Sequence, residues 1–147
     1  MAIKVSTKGR YGLRLMIDLA LHQQADGVVR LRDIAERQAI SGKYLWQVIN
    51  PLKNAGLVSV LRGAHGGFAL ARPPDKITVY DIVALLEGPM ALVPCVRSRS
   101  DCERAAECAA REVWTAVDRA LERALRGVTL AAIVRRARQA PGGSYVI

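Results

Sequence analysis

The sequence contains no apolar run that approaches the ~20 residues a membrane-spanning helix needs. Its first ten residues lack the apolar core of a secretory signal, so we expect a cytoplasmic protein. Only two histidines are present, His22 and His65, and neither a Ser/His/acid pattern nor a phosphate-binding glycine loop accompanies them. These absences argue against a membrane protein and against an enzyme.

Paired Cys-x-x-Cys knuckles, the pattern typical of structural zinc, are also absent. The three cysteines, Cys95, Cys102 and Cys108, nevertheless lie within 14 residues, and their odd number argues against a disulfide framework. A helix that begins at about Asp101–Arg104 would place Cys108 in its first turns and the other two thiols in the preceding loop. The positive end of that helix would favour thiolates, an arrangement typical of iron–sulfur ligation.

Positive charge is concentrated in the first half of the chain. Residues 1–72 carry 11 basic and 4 acidic side chains, whereas residues 73–147 carry 11 and 9. Basic side chains release the counterions condensed on phosphates, so this half is expected to contact a polyanion such as duplex DNA. The alternative is an ordinary solubilising surface.

The predicted order of elements in this half is three helices followed by a hairpin with a glycine-rich tip, the order of a winged helix-turn-helix. The boundaries are helices at about 7–23 and 31–38, a helix from 42, and strands at 57–61 and 68–71. Ser6 or Thr7 caps the first helix and Ser41 the third. Pro51 lacks a backbone donor, so it is expected to kink or end the third helix.

The second half predicts a fourth helix from a Thr78/Asp81 capping box to Glu87, an irregular segment over 89–101, a long helix to about Arg126, and a last helix over 130–139. Small and apolar residues on the long helix alternate in steps of four and three: Ala106, Ala110, Val113, Val117, Ala120 and Ala124. This heptad stripe predicts a dimerisation helix, although it could instead pack on the chain's own core. The predicted units are a DNA-binding domain over 1–88, a cysteine loop over 89–102 and a dimerisation region over 103–147.

The third helix offers a candidate recognition face. With Leu45 and its helical neighbours facing inward, the opposite face carries Lys43, Gln47 and Asn50, with Tyr44 near the helix start. Gln and Asn can pair with adenine, Lys can contact guanine, and Tyr can bond phosphate, although any surface helix has a polar face.

Further contacts are expected around this helix. Arg62 at the hairpin tip could enter a minor groove, and His65 beside it is read as a phosphate contact or a plain turn residue. Lys8 and Arg10 on the first helix are expected over phosphates, as are Lys4 and Arg14. The sequence leaves open whether Trp46 meets a sugar or packs on a neighbour.

Several stretches resemble the winged-helix transcription regulators of the IscR and NsrR type over nearly the whole chain. They are Ser6–Tyr11, Ile34–Arg37, Ile40–Leu45, Asn50–Lys53, Ala55–Val58, Arg62–Phe68, and the cysteine triplet followed by Trp114. The resemblance implies a homodimer on a near-palindromic operator, with a 2Fe–2S or 4Fe–4S cluster tuning DNA affinity. Cys95, Cys102 and Cys108 fall on the family's cluster cysteines, and a 2Fe–2S cluster is the expected cofactor.

The sequence departs from this family at the fourth cluster ligand. Where IscR-type members place a histidine, three residues after the last cysteine, this chain has Arg111, and near the aspartate that NsrR-type partners supply it has Lys8. The remaining candidates are Asp101, Glu103, Glu107, Glu112, a partner residue, water or a small thiol. The alternative function is a cluster-free regulator that senses thiol redox state or a small metabolite.

Overall fold

The computed structural model describes residues 4–24 and 27–141, and within these ranges the chain forms seven helices and one antiparallel hairpin. In chain order they are α1 (Thr7–His22), α2 (Leu31–Gln38), α3 (Gly42–Asn54), β1 (Val58–Leu61), β2 (Gly67–Leu70), α4 (Val79–Glu87), α5 (Pro94–Arg97), α6 (Ala109–Arg126) and α7 (Leu130–Gln139). This mainly helical fold with a two-stranded wing confirms the predicted winged helix-turn-helix.

Local capping signals place the helix starts where the sequence predicts them. The Ser6 hydroxyl accepts from the Gly9 amide, and the Ser41 hydroxyl accepts from the Tyr44 amide. Thr78 and Asp81 form the predicted capping box at α4. Each cap satisfies an amide that the first helical turn leaves without a partner.

Pro51 is expected to kink or end the third helix, and the structure shows that α3 does not end there. The helix continues to Asn54, and the Ala55 amide donates to the Pro51 carbonyl at 3.0 Å. Ile49 and Leu52, on either side of the proline, are both fully buried. Their packing offsets the one backbone hydrogen bond that the pyrrolidine ring removes.

The cysteine region also differs from its prediction. Helix α6 begins at Ala109, not near residue 103, so Cys108 is its N-cap, and Ala106 precedes the helix. Four-residue turns occupy the interval, with the Ala105 amide donating to the Cys102 carbonyl and the Glu107 amide to the Arg104 carbonyl, both at 3.1 Å. The segment expected to be irregular contains the short helix α5 and a 3₁₀ turn at Arg99–Asp101.

The core lies among α1, α2, α3, α4, the wing and the first residue of α7. Helices α1 and α4 approach closely because Gly12 has no side chain, and a Cβ there would lie 2.0 Å from the Leu86 Cδ1. Leu130 of α7 is fully buried in the same core. The predicted division of the chain at residues 88 and 102 stays a prediction, and α7 packs against α1 of the first predicted unit.

No helix of the described ranges is long and apolar enough to cross a membrane.

Candidate nucleic-acid interface and cysteine segment

A buried carboxylate fixes the orientation of α1 and α2. Asp18 is fully buried and accepts hydrogen bonds from the Arg37 Nε at 3.0 Å and from the Gln38 Nε2 at 2.8 Å. The hydrogen bond to Asp18 raises the pKa of the Arg37 guanidinium, which therefore stays charged. Every buried polar side-chain atom of this cluster has a hydrogen-bond partner, as buried polar groups require.

Arg14 adds a second link between α1 and α2, and Tyr11 of α1 contacts α3. The Arg14 guanidinium donates to the Gln38 side chain at 3.1 Å and to the Gln38 carbonyl at 2.6 Å, and it lies over the Tyr11 ring. The Tyr11 and Tyr44 rings meet edge to face, with centroids 5.5 Å apart. Arg14, expected over a phosphate, thus binds α2 within the protein, and Tyr44 is half-buried.

The rest of the predicted recognition face points outward. Leu45, Val48, Ile49 and Leu52 are fully buried, as the periodicity predicts. Lys43 and Gln47 are exposed on the opposite face, and Asn50 is half-buried. The structure therefore brings these three polar side chains to one accessible surface of α3.

The wing presents the predicted basic tip. Arg62 and His65 are both exposed in the turn between β1 and β2. Gly63 has φ +113°, a conformation that favours glycine, and a Cβ on Gly66 would lie 2.2 Å from the Leu61 carbonyl oxygen. The tight tip thus depends on its glycines.

The start of α1 is held by the end of α4. The Ser6 amide donates to the Glu87 Oε1 at 3.0 Å and the Ser6 hydroxyl at 2.6 Å. Arg10 is exposed and Lys8 is half-buried on the first turns that follow. Both predicted phosphate contacts are therefore attached to a fixed helix start.

Trp46 belongs to this surface, and the sequence alone did not assign its role. Its ring meets the Phe68 ring edge to face, with centroids 6.0 Å apart, so α3 and the wing are in direct contact. The side chain remains 49% exposed. A tryptophan between two predicted contact residues on a recognition helix was the available signal.

The stretch of residues 89–108 that carries the three cysteines, called the cysteine segment below, is joined to α6 by hydrogen bonds at two positions. The Arg111 Nε donates to the Cys95 carbonyl at 2.8 Å, and the Leu92 amide donates to the Asp118 carboxylate at 3.1 Å. Cys95, Cys102 and Cys108 are half-buried free thiols. Arg111, at the position where the resemblance implies a histidine ligand, thus orients the backbone of a cysteine.

The three thiols fit an iron–sulfur cluster in chemistry, because thiolates are the usual ligands of cluster iron. In the part of the chain that the structure describes, no group of three or more His, Cys, Asp or Glu side chains is arranged to hold a metal ion. Metal binding is coupled to the ordering of its ligands, so a cluster would require this segment to rearrange. No residue is identified as a fourth ligand.

Helix α6 turns its apolar stripe away from its own chain. Val113 is 58% exposed, and Trp114 and Val117 are also exposed, whereas Thr115 and Asp118 face the cysteine segment or α4. None of the α6 residues is buried. A helix with exposed apolar residues and inward polar ones indicates a surface that another molecule covers.

The fold, with the exposed polar face of α3 and the basic tip of the wing, defines a winged helix-turn-helix DNA-binding regulator. A family model described as "Rrf2: Iron-dependent Transcriptional regulator" matches residues 5–136, and the chain belongs to the Rrf2 family. It is a transcriptional regulator and not an enzyme.

Individual relatives carry two different names. The HTH-type transcriptional regulator CymR of Bacillus subtilis is 42% identical over 128 residues, which are 87% of each chain. Its solved structure, described as that of the global cysteine regulator, has a TM-score of 0.76 at 41% identity and covers 92% of this chain and 98% of its own. The structure of T. potens IscR has a TM-score of 0.78 at 40% identity and covers 99% and 96%.

Proposed function

We propose that two copies of this regulator pair through α6 and bind a near-palindromic operator in the cytoplasm. The observation that carries the proposal is the outward apolar stripe of α6 on a chain whose recognition face is separately exposed. Twofold symmetry of the protein demands a matching symmetry of the half-sites, about one helical turn apart.

Within each half-site, Lys43, Gln47 and Asn50 read base edges in the major groove. Tyr44, Lys8, Arg10 and His65 bind phosphates, and Arg62 enters the neighbouring minor groove. The support for this division is that Lys43, Gln47 and Asn50 share one face of α3. Lys8 and Arg10 lie on α1, and Arg62 and His65 lie on the wing.

Lys8→Ala and Gln47→Ala are expected to differ in kind. Lys8→Ala should weaken binding about equally on all sequences and lower the salt slope by about 1, because it removes a phosphate contact. Gln47→Ala should relax preference at one base pair and cost about 1–3 kcal/mol there. Selection from a randomised duplex, with titrations at several salt concentrations, measures both. Identical behaviour of the two variants would refute the assigned groove face.

We also propose that Cys95, Cys102 and Cys108 hold an iron–sulfur cluster, 2Fe–2S in preference to 4Fe–4S, that tunes operator affinity. Such a cluster would supply a group sensitive to oxygen, nitric oxide and iron supply. The support is the donor set, three thiols on one short segment in a family described as iron-dependent. The fourth ligand remains open, and Arg111 cannot ligate.

The coupling proposed here runs through the chain's own hydrogen bonds. Cys95 and Leu92 are tied to Arg111 and Asp118 on the face of α6 opposite the apolar stripe. Reordering of Pro94–Asp101 would therefore move α6 against its partner and change the spacing of the two recognition helices. Spacing decides whether both helices reach successive major grooves.

A cluster-free thiol regulator is the second candidate. It is favoured by the hydrogen bond from the Arg111 Nε to the Cys95 carbonyl, which engages Arg111 at the position where the resemblance implies a histidine ligand. A relative at 41% identity is described as a global cysteine regulator. In this version, the Arg111 guanidinium holds the backbone of Cys95 in place and the thiols themselves carry the redox response.

Anaerobic purification with a visible spectrum and iron analysis separates the two candidates. If the cluster is present, we expect wild-type protein to contain iron and to show a charge-transfer band in the visible spectrum. Both should be lost in the triple variant Cys95→Ala/Cys102→Ala/Cys108→Ala. The triple variant should also change operator affinity, whereas a Ser98→Ala/Ser100→Ala control on the same segment should not. Colourless protein whose affinity responds to thiol oxidants would select the second candidate. Unchanged affinity of the triple variant on every operator would refute the coupling in both.

A further inference from the structure

We propose that the Trp46 indole contacts a thymine C5-methyl group in each half-site, with Phe68 as its support. The inference rests on the proposed entry of α3 into the major groove. It assigns to the surface between α3 and the wing a specificity for one chemical group, the only methyl that a base presents in that groove.

The indole lies in the same stripe of α3 as the proposed base contacts. It follows Lys43 by three residues and precedes Asn50 by four, and both spacings place side chains next to each other on a helix. The buried Leu45 stripe is on another side of the helix. If Lys43 and Asn50 contact bases in the major groove, the exposed part of Trp46 therefore contacts a neighbouring group of the same DNA.

The apolar surface extends from Trp46 onto the wing. Phe68 supports the indole edge to face, and Val60 lies directly across the hairpin from Phe68, so the two share a face. Val60 and Trp46 are both exposed. Large apolar side chains exposed around one shared residue, Phe68, mark an interaction surface, and the polar and basic residues of α3 and the wing select DNA as the occupant.

The support beneath the indole is rigid. Phe68 exchanges two backbone hydrogen bonds with Val29, of 2.8 and 2.7 Å, which extend the hairpin by one bridge. An aromatic side chain held by such a rigid strand pairing loses little conformational freedom on binding. A thymine methyl offers the apolar contact that fits it, whereas phosphates and the polar edges of the other bases do not.

Replacement of single thymines by deoxyuridine tests the proposal, because it removes the methyl and leaves the pairing intact. The operator is selected with the wild-type protein from a randomised duplex. One thymine in each half-site should be sensitive, with affinity falling about fourfold for one replacement and about fifteenfold for both, from the ~0.8 kcal/mol of one buried methyl. The remaining thymines are internal controls.

The variant Trp46→Ala should bind the thymine and deoxyuridine duplexes equally, and Trp46→Phe should keep part of the difference. If Trp46→Ala weakened both duplexes while the difference persisted, Trp46 would only position the wing and the proposal would be wrong. A wild-type protein insensitive at every thymine overturns the proposal whether or not the variant folds. Failure of wild type to prefer any duplex would instead refute the proposed function of α3.

Discussion

Replacing Arg37 with alanine is expected to lower the free energy of unfolding by about 1–3 kcal/mol, because it removes the charged partner of the fully buried Asp18 carboxylate. The Arg37 side chain is itself 34% exposed, so solvent screening keeps the cost below that of a fully buried ion pair. Urea unfolding followed by circular dichroism measures the change. The hydrogen bond to Asp18 raises the pKa of Arg37 in the folded protein. The stabilisation by this pair is therefore fully present below the pKa that Arg37 has in the unfolded chain, and it is lost only as the pH rises through the raised pKa of the folded state. The difference between wild type and variant should therefore be constant around neutral pH.

A matched control lies on the same helix. Arg32 is exposed and stands 3.9 Å from Asp33, so Arg32→Ala should cost less than about 1 kcal/mol. Adding Asp18→Asn to Arg37→Ala should recover part of the loss, because a neutral amide leaves no buried charge. Equal destabilisation by Arg37→Ala and Arg32→Ala would show that the buried pair contributes nothing special.

Val117→Glu is expected to convert the proposed dimer into monomers and to weaken operator binding about 100-fold or more, because linked half-sites bind far more tightly than separate ones. Val117 lies on the exposed apolar stripe of α6, and burying a carboxylate in an apolar interface there would carry a large desolvation cost. Sedimentation equilibrium and operator titration measure the two effects.

Val117→Ile is the control for this experiment, since it keeps a β-branched apolar side chain at the same position. It should leave both the association state and the affinity within a few-fold of wild type. A Val117→Glu protein that still sediments as a dimer would place the interface elsewhere.

Signals confined to one helical turn were sufficient to predict most of the fold. The caps at Ser6, Ser41 and Thr78 are satisfied by amides within three residues, so the sequence contains both partners. Pro51 was misjudged because its cost is local, whereas the packing that offsets it comes from elements distant in the chain.

Contacts between residues far apart in the chain could not be predicted from the sequence. Asp18 meets Arg37 and Gln38 across about twenty residues, although a lone carboxylate within the apolar run Leu15–Leu19 is itself a signal for a buried pair. The start of α6 was placed too early because the intervening turns look helical in residue preference. The outward face of α3 was predicted well because periodicity alone decides which side is buried.

The junction between α6 and α7 has a mechanical consequence. Only Gly127, Val128 and Thr129 separate the two helices, and both ends of this link are pinned, by the Val79 amide on Val128 and the Leu130 amide on Ile77. Arg126 adds a stacking contact on Tyr80 from the last turn of α6. This short, hydrogen-bonded link therefore cannot absorb a tilt of α6. In the proposed dimer, a change in the angle of α6 would therefore rotate the rest of the chain with it. A small rotation at α6 would become a large displacement at the distant α3.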